Sequence, residues 1–477
     1  MTSGWLCKIL ALGSLVLVAL PIHLTGQQQS VEQQQLTHTR YVVTDLGTLQ
    51  DGPASFAFGL NDSSVINGAS ILTDGTFHAA LWHRKFMVDL ATPGLGGLNS
   101  EAFGVNERGQ ASGLAETSEA DPNGEDFCGF GTFVMCRPFI WQRGLMKPLP
   151  TLGGNNGEAG QINDLGEVAG NAENRTLDLT CPASGPQRFQ NKPVVWKNGK
   201  AEELPTFDHD PDGWTFGINN RGQIVGASGV CSSLNPQTGV YILSRHALLW
   251  DEGKLTNLGN LGGTGAFGPG NIGGEINSRG EVAGTSDLPG DTTFHAFRWS
   301  QETGIQDLHT LPGDFASAGL GINDTGRIVG ASFDANFNSR AFLWQNGVMT
   351  DLNTLVPANS PLFLLFAHGI NSRDEIVGFG VNSAGDIHAF LAIPRDLNPA
   401  STVPFDGVPE SGRESTMQGP TPVLSENARS LLDQYLGASL SLRRAPITEI
   451  LSRSIRRSSF IWSPAAFASK PHWSRMP

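Results

Sequence analysis

Positive charge and long apolar runs are both scarce in this sequence. Its 477 residues include 31 Lys and Arg against 45 Asp and Glu, which gives a formal net charge of −14. Proteins that bind nucleic acid need a basic surface for the phosphates, so this balance argues against such a partner. The candidate apolar run, residues 9–22, is shorter than the roughly 20 residues that span a bilayer. No transmembrane protein is therefore predicted once the N-terminal segment has been cleaved.

Signatures of common catalytic sites are missing as well. The sequence contains no G-x-S-x-G, no phosphate-binding G-x-x-x-x-G-K-[ST] and no H-E-x-x-H. It has three tyrosines and 59 glycines, a composition that suits short strands joined by tight turns. We therefore predict no catalytic and no cofactor-binding residue, and a binding protein is favoured over an enzyme.

The N-terminus has the layout of a secretory signal peptide. Lys8 precedes the apolar run, and the sequence turns polar directly after it. We predict a signal peptide over residues 1–26 and a flexible Gln-rich spacer over residues 27–39; an uncleaved anchor is the alternative. The protein is thus expected to be secreted or to reside in the cell envelope, either periplasmic or extracellular.

A ten-residue phrase recurs seven times along the chain. GINDTGRIVG from Gly321 and GINNRGQIVG from Gly217 are clear copies, and EINSRGEVAG and QINDLGEVAG begin at Glu275 and Gln161. The repeat asparagines are Asn61, Asn106, Asn163, Asn219, Asn277, Asn323 and Asn371. Asn followed by Gly three residues later is typical of a hairpin turn, because Asn bonds its own backbone and Gly tolerates positive φ.

Each copy of this phrase continues in the same way. A second phrase of the type HAFLW follows, as at His295, and then a weaker one of the type DLxTL. Four short apolar segments per repeat, without alternation, predict strands that are covered on both faces. Such a unit is typical of a four-stranded propeller blade. The last copy lacks the third phrase, so residues 41–46 are expected to complete it and to close a seven-bladed ring.

The paired phrases resemble the HAF repeat family, a group of extracellular bacterial repeat proteins. The resemblance covers residues 40–394 and implies export and a repeat architecture, whereas the family brings no established catalytic residues. Gln161 departs from the usual Gly, and Ala392 replaces the usual Trp. The six repeat tryptophans are expected to be core residues. Residues 395–477 are predicted to be a largely disordered tail with short helices, either solvated or bound to an anionic surface.

One acidic turn stands outside the repeat and could bind a metal ion. Asp208, Asp210 and Asp212 alternate and are followed by Gly213, as at the start of a calcium loop. Asn219 holds the place of the bidentate Glu, and a proline interrupts the loop, so a solvated acidic turn is the alternative. A second acidic loop, residues 121–126, is a weaker candidate. The residues that head the second phrase are His, Arg or Lys; they could bind an anion or could pair with carboxylates of their own blade.

Four cysteines outside the signal peptide predict two disulfides in an exported chain. Cys128 and Cys136 lie in one insertion, and Cys181 and Cys231 lie in equivalent insertions of adjacent blades, so these are the expected pairs.

The insertions 114–136, 171–191 and 227–245 should share one face with the Asp208 turn. This face is the predicted binding surface.

We thus interpret the chain as a secreted, monomeric binding or scaffolding module for an extracellular glycan or an envelope polymer. One alternative is a carbohydrate-active hydrolase or lyase, which would require carboxylates, His or Arg outside the repeat pattern to converge near the central channel. A structural envelope protein is the other alternative.

Overall fold

The computed structural model describes residues 40–395 apart from 84–85, 92–93, 182–186 and 232–241, and also the single residue Arg429. The predicted signal peptide, the Gln-rich spacer and nearly all of the tail lie outside these residues. Within the described part of 40–395 the regular structure is β-strand apart from two short 3₁₀ turns, Leu49–Asp51 and Leu352–Leu355. In the described part of the chain, no helix has the length and apolar character needed to cross a membrane.

The strands are short and follow one another at close intervals. The first thirteen are β1 Arg40–Asp45, β2 Ala54–Leu60, β3 Val65–Ile71, β4 Phe77–His83, β5 Phe86–Asp89, β6 Gly96–Val105, β7 Ala111–Ala120, β8 Val134–Gln142, β9 Leu145–Pro148, β10 Gly157–Ile162, β11 Val168–Leu177, β12 Phe189–Lys197 and β13 Lys200–Glu203. The others are β14 Asp212–Ile218, β15 Ile224–Cys231, β16 Ile242–Asp251, β17 Lys254–Asn257, β18 Ile272–Ile276, β19 Val282–Asp287, β20 Phe294–Ser300, β21 Gly304–Asp307, β22 Ala316–Ile322, β23 Ile328–Phe333, β24 Ser339–Gln345, β25 Val348–Asp351, β26 Phe363–Ile370, β27 Ile376–Val381 and β28 Ile387–Arg395.

These strands form sheets whose order follows the chain. Five sheets have four strands each, namely β6–β9, β10–β13, β14–β17, β18–β21 and β22–β25. The other strands belong to an eight-stranded sheet in the order β26-β27-β28-β2-β3-β4-β5, with β1 paired to β28. The architecture is therefore all-β and propeller-like, as the spacing of the repeats predicts.

The first strand of the chain lies beside the last. β1 pairs antiparallel with β28 from Arg40 opposite Arg395 to Asp45 opposite Phe390. β1 therefore pairs with β28 in the same way as β5 pairs with β4. β2 joins the same sheet through the pairing of Ala54 with Ile387.

Apolar side chains fill the space between neighbouring sheets. In one such cluster Leu81 of β4 packs with Ala102 of β6 and Phe139 of β8. Trp82 and Trp196 are almost fully buried, and the indole Nε1 of Trp196 donates a hydrogen bond to the Pro150 carbonyl at 2.8 Å. Among the other repeat tryptophans, Trp250 and Trp299 are buried and Trp141 and Trp344 half-buried. This packing explains why the residue recurs in six copies.

Candidate functional site

The repeat asparagines join neighbouring turns to one another. Within a turn, Oδ1 of Asn277 accepts hydrogen bonds from the N–H groups of Arg279 at 3.0 Å and Glu281 at 2.9 Å. Its Nδ2 donates to the carbonyl of Asn323, the next repeat asparagine, at 3.0 Å. The equivalent Nδ2 donors of the other copies lie on Asn61, Asn106, Asn163, Asn219, Asn323 and Asn371. Asn371 donates back to the carbonyl of Asn61 at 3.2 Å, so the last copy is linked to the first.

A β-bulge interrupts the first strand of every copy just before this turn. In β2, for example, the pairing with β3 shifts between Ala57 and Gly59, and β14 and β22 shift at the equivalent place. The residues at the bulges are Phe58, Phe103, Gly160 with Gln161, Phe216, Gly274, Leu320 and His368. A bulge redirects a side chain out of the regular alternation. All of these residues line one cavity.

Two cavities meet at these bulges. The first, of about 240 Å³, is lined by the repeat asparagines and the residues that follow them, and we call it the asparagine cavity. The second, of about 160 Å³, is lined by the bulge residues together with Glu158, Pro269 and Ile272, and we call it the phenylalanine cavity. Phe58, Gln161, Glu275 and His368 line both. The two cavities together are called the channel below.

The two ends of the channel differ because the strands are antiparallel. The turns that carry the repeat asparagines join the first and second strands of each sheet. The long insertions join the second and third strands, and therefore lie at the opposite end. Pro269, in the segment before β18, belongs to the insertion end, so the phenylalanine cavity faces the side predicted to bind.

Gln161 and Glu275 occupy the position that is Gly in the other five copies. They contact each other, because Nε2 of Gln161 donates a hydrogen bond to Oε2 of Glu275. Oε1 of Glu275 accepts from the N–H of Ile276 at 3.0 Å. A Cβ at Gly217 would lie 3.0 Å from Oε1 of Glu275. The absence of a side chain at Gly217 therefore leaves space for this carboxylate. The sequence pattern shows Gln161 as a departure from the usual Gly, but it did not lead us to predict a role for Gln161 or Glu275.

The surroundings of Glu275 change its acidity. The cavities reach the side chain, which is half-buried, but the enclosing protein shields the carboxylate from bulk water. This burial raises the pKa of Glu275 to about 7, although the hydrogen bonds from Ile276 and Gln161 oppose the change. Burial also lowers the pKa of His368 to about 4, so its ring is neutral at pH 7. His368 lies among aromatic rings, with its centroid 5.9 Å from that of Phe58 and 5.6 Å from that of Phe379.

The three aspartates of the predicted calcium turn point to different partners. Asp208 is exposed, whereas Oδ2 of Asp210 lies 2.7 Å from Oγ of Ser228 and 2.8 Å from Nδ1 of His246. Asp212 is fully buried, and its Oδ1 accepts hydrogen bonds from Gln187 and Asn191, both at 2.8 Å. The structure therefore does not bring these carboxylates together, because two of them already satisfy buried donors elsewhere. Calcium binding at this turn stays a prediction.

Two further groups of residues have the spacing of metal ligands. Among the residues that the structure describes, such groups are Asp178 with Cys181 and Cys231, and His295 with Asp307 and His309. The two cysteines of the first group form a disulfide and hold no free thiolate.

In the second acidic loop, Oδ1 of Asp121 accepts from the N–H groups of Asn123 and Glu125 at 2.7 and 3.0 Å. Glu173 lies near this loop, and burial, together with the charge of Glu125, raises its pKa.

The disulfides join the pairs that the sequence predicts. Cys128 is bonded to Cys136 within one insertion, with their Cα atoms 5.5 Å apart. Cys181 is bonded to Cys231 with a Cα separation of 4.7 Å, which connects the insertion after β11 to the end of β15. The second bridge therefore links two neighbouring sheets at the insertion end.

Five of the basic residues that head the second phrase pair with carboxylates. Nδ1 of His78 lies 2.9 Å from Asp89 and Nδ1 of His388 lies 2.8 Å from Asp45. The hydrogen bond with Asp45 raises the pKa of His388. Asp45 of β1 thus pairs with His388 of β28 in the same way as Asp89 of β5 pairs with His78 of β4. Further heads within ion-pair distance of aspartates are His246, His295 and Arg340.

No family model and no curated protein matches the chain.

Among solved structures, an acylaminoacyl peptidase from Pyrococcus horikoshii is 15% identical with a TM-score of 0.36, covering 59% of this chain and 44% of the peptidase. TolB from Acinetobacter baumannii is 10% identical with a TM-score of 0.34, covering 72% of this chain and 64% of TolB. The Aleuria aurantia lectin AAL, in a mutant form in complex with Fucalpha1-6GlcNAc, is 11% identical with a TM-score of 0.32, covering 71% of this chain and 91% of the lectin. The chain thus spans less than half of the peptidase and just under two thirds of TolB.

Proposed function

We propose that this protein is a secreted, seven-bladed propeller of the HAF repeat type that binds a small molecule in its channel. The ligand would enter from the insertion end, into the phenylalanine cavity. The observation that carries the proposal is the set of bulges, which turn residues of differing chemistry from all seven copies toward one cavity. Ligand sites are usually concave and mostly apolar, with a few polar groups that fix the orientation.

The blade count rests on strand pairing and on the asparagines. Five blades correspond to the four-stranded sheets, a sixth to β2–β5, and the seventh to β26–β28 completed by β1. The hydrogen bond from Asn371 back to Asn61 supports closure, because it repeats the link that joins the other copies. Export is supported by the two disulfides, which persist in oxidising compartments. We propose that the protein acts as a monomer in the envelope or outside the cell.

The residues that line the channel also fit a second candidate function. A carbohydrate-active hydrolase or lyase requires carboxylates or His outside the repeat pattern near the centre, and Glu158, Glu275 and His368 all line the phenylalanine cavity. A carboxyl group whose pKa is close to 7 could serve as a general acid or base. Release of reducing sugar from polysaccharides by the wild-type protein, abolished in Glu275→Gln, would favour this enzyme over a binding module.

The binding function is tested with the purified mature protein. A panel of small molecules, glycans, envelope polymers and calcium is screened by thermal shift, and each hit is titrated by calorimetry, because a ligand that binds the native state alone raises its stability. Phe216→Ala, which removes a half-buried ring from the phenylalanine cavity, should weaken binding about tenfold or more.

Phe86→Ala is the matched control, since that ring is 74% exposed on β5. It should bind as the wild type does. Equal affinity of Phe216→Ala and the wild type would contradict a site in this cavity, and a panel without hits would contradict the binding function.

A further inference from the structure

The charges along the channel indicate which class of small molecule it takes. Carboxylates line it at both ends, and they belong to Asp62, Glu107, Asp164, Asp324, Glu158 and Glu275. The lining residues of the described chain include no Lys and no Arg. His368 is neutral at pH 7 because burial lowers its pKa to about 4. At the asparagine end, Arg108 and Arg373 contact the backbone of Asp164 and Asp62, whereas the charged residues that line the phenylalanine cavity are Glu158 and Glu275. A cavity lined by charges of one sign attracts the opposite sign and disfavours anions, so a cation is the expected ligand there.

We infer that the channel binds an organic ammonium ion, whose charged head meets Glu275 and whose carbon atoms lie against the phenylalanine rings. This inference rests on the proposed binding function and adds the chemical class of the ligand.

The hydrogen bonds of Glu275 leave it able to accept more. Its donors are the amide of Gln161 and the N–H of Ile276, both of which are neutral. Within the described part of the chain, no Lys, Arg or His lies within ion-pair distance of Glu275. A carboxylate has about four lone-pair sites, so two neutral donors leave room for the N–H groups of an ammonium ion. A ligand can reach this carboxylate from either cavity, since Glu275 lines both.

The rings around this carboxylate distinguish an organic cation from a metal ion. Phe58, Phe103 and Phe216 line the same cavity, and the centroids of Phe58 and Phe103 are 5.7 Å apart. Aromatic faces attract ammonium groups, and clusters of rings are a common means of holding methylated ammonium ions. Calcium instead requires six to eight oxygen ligands, and the phenylalanine rings of this cavity offer none. An organic ammonium ion satisfies the rings and the carboxylate together.

The experiment compares each ammonium compound with an uncharged molecule of the same shape. Choline is paired with 3,3-dimethylbutanol and phenethylamine with 2-phenylethanol, and all four are titrated calorimetrically into the mature protein at pH 8. At least one ammonium compound should bind about tenfold or more tightly than its uncharged partner, because only the cation is attracted by the faces of the rings and by the charge of Glu275. Glu275→Gln should remove this preference, and Glu302→Gln, on an exposed turn, should retain it.

The affinity should also depend on pH. Lowering the pH from 8 to 6 protonates Glu275, whose pKa is about 7, and should weaken binding of the ammonium compound by up to about tenfold. The other carboxylates of the channel and His368 face the same ligand, so the variant Glu275→Gln separates the contribution of Glu275 from theirs. This variant should flatten the profile.

Each outcome has a separate meaning. Equal binding of the charged and uncharged partners would overturn the ammonium inference and leave the binding function intact. Calcium chloride or magnesium chloride that binds in a Glu275-dependent manner, without any response to the ammonium compounds, would identify a metal site instead. Absence of binding by all four compounds overturns the inference, and the glycan and small-molecule panel then decides whether the binding function fails as well. The wild-type comparison needs no variant, so a folding defect in Glu275→Gln does not prevent the decision.

Discussion

Two nearby positions of the repeat behave in opposite ways. The asparagine of the turn is the same in all seven copies, and each one donates to the carbonyl of the next. Three residues earlier, at the bulge, the copies have Phe, Gly, Leu or His. The uniform position links neighbouring copies of the repeat, and the varied position lines a cavity. In a repeat protein, therefore, the residues that recur describe the scaffold, and function is to be sought where they differ.

The pairing of the first strand with the last gives the largest expected effect. Deleting residues 41–46 removes β1, whose Tyr41 and Val43 are buried against residues of β26–β28, and exposes the edge of β28. An unpaired edge of this kind promotes aggregation. We expect loss of the cooperative thermal transition and association in size-exclusion chromatography.

Deletion of residues 28–33 is the control, because it shortens the same end of the chain and leaves β1 in place. If the protein without residues 41–46 melts as the control does, the seventh blade does not depend on β1 and the closure is wrong.

The all-β architecture and the strand that accompanies β28 could be predicted because they follow from local patterns. The Asn-x-x-Gly turn, the apolar segments and the missing third phrase each depend on a few consecutive residues. The disulfide pairs followed from the same reasoning, since equivalent loops of adjacent blades are neighbours. The sequence could not reveal that a bulge redirects the residue before the repeat glycine, because a bulge depends on the register between two strands.

The candidate site was harder to predict for a second reason. Gln161 and Glu275 are 114 positions apart, and only the arrangement of blades brings their side chains into contact. Their signal was nevertheless present, since both replace the Gly that five other copies retain. The spacing of the aspartates in the Asp208 turn predicted a calcium site. In the structure these carboxylates point apart, because Asp210 and Asp212 accept hydrogen bonds from the buried donors Ser228 and Gln187.

The next effect in size tests the uniform position. Asn277→Ala removes the buried hydrogen bond to the Asn323 carbonyl and leaves the partly buried N–H groups of Arg279 and Glu281 without their acceptor. Each unsatisfied buried group costs on the order of 1–3 kcal/mol, so we expect the free energy of unfolding to fall by about 2–4 kcal/mol. Denaturant titration with constant slope measures this loss.

Asn382→Ala provides a matched control in the same kind of turn. Its Oδ1 also accepts two backbone hydrogen bonds, from Ala384 at 2.9 Å and Asp386 at 3.0 Å, but these bonds are exposed, and its Nδ2 donates to Asp386 of the same turn. The control should lose clearly less stability than Asn277→Ala. Equal losses would mean that the asparagines act only within their own turns.

The smallest expected effect tests the varied position through the pH dependence of stability. The pKa of Glu275 rises from 4.5 to about 7 on folding, so between these values the native protein binds more protons than the unfolded chain. Its contribution to stability is therefore fully present below about pH 4.5 and is lost as the pH rises through 7. Glu275→Gln stays neutral throughout, so the variant should match the wild type near pH 4 and melt about 2–4 °C higher at pH 8. Glu302→Gln, which is exposed, should follow the wild-type profile at both pH values. If Glu275→Gln also follows that profile, the carboxylate is well solvated. The varied position would then not be shielded from water, and the contrast with the scaffold position would not extend to its electrostatics.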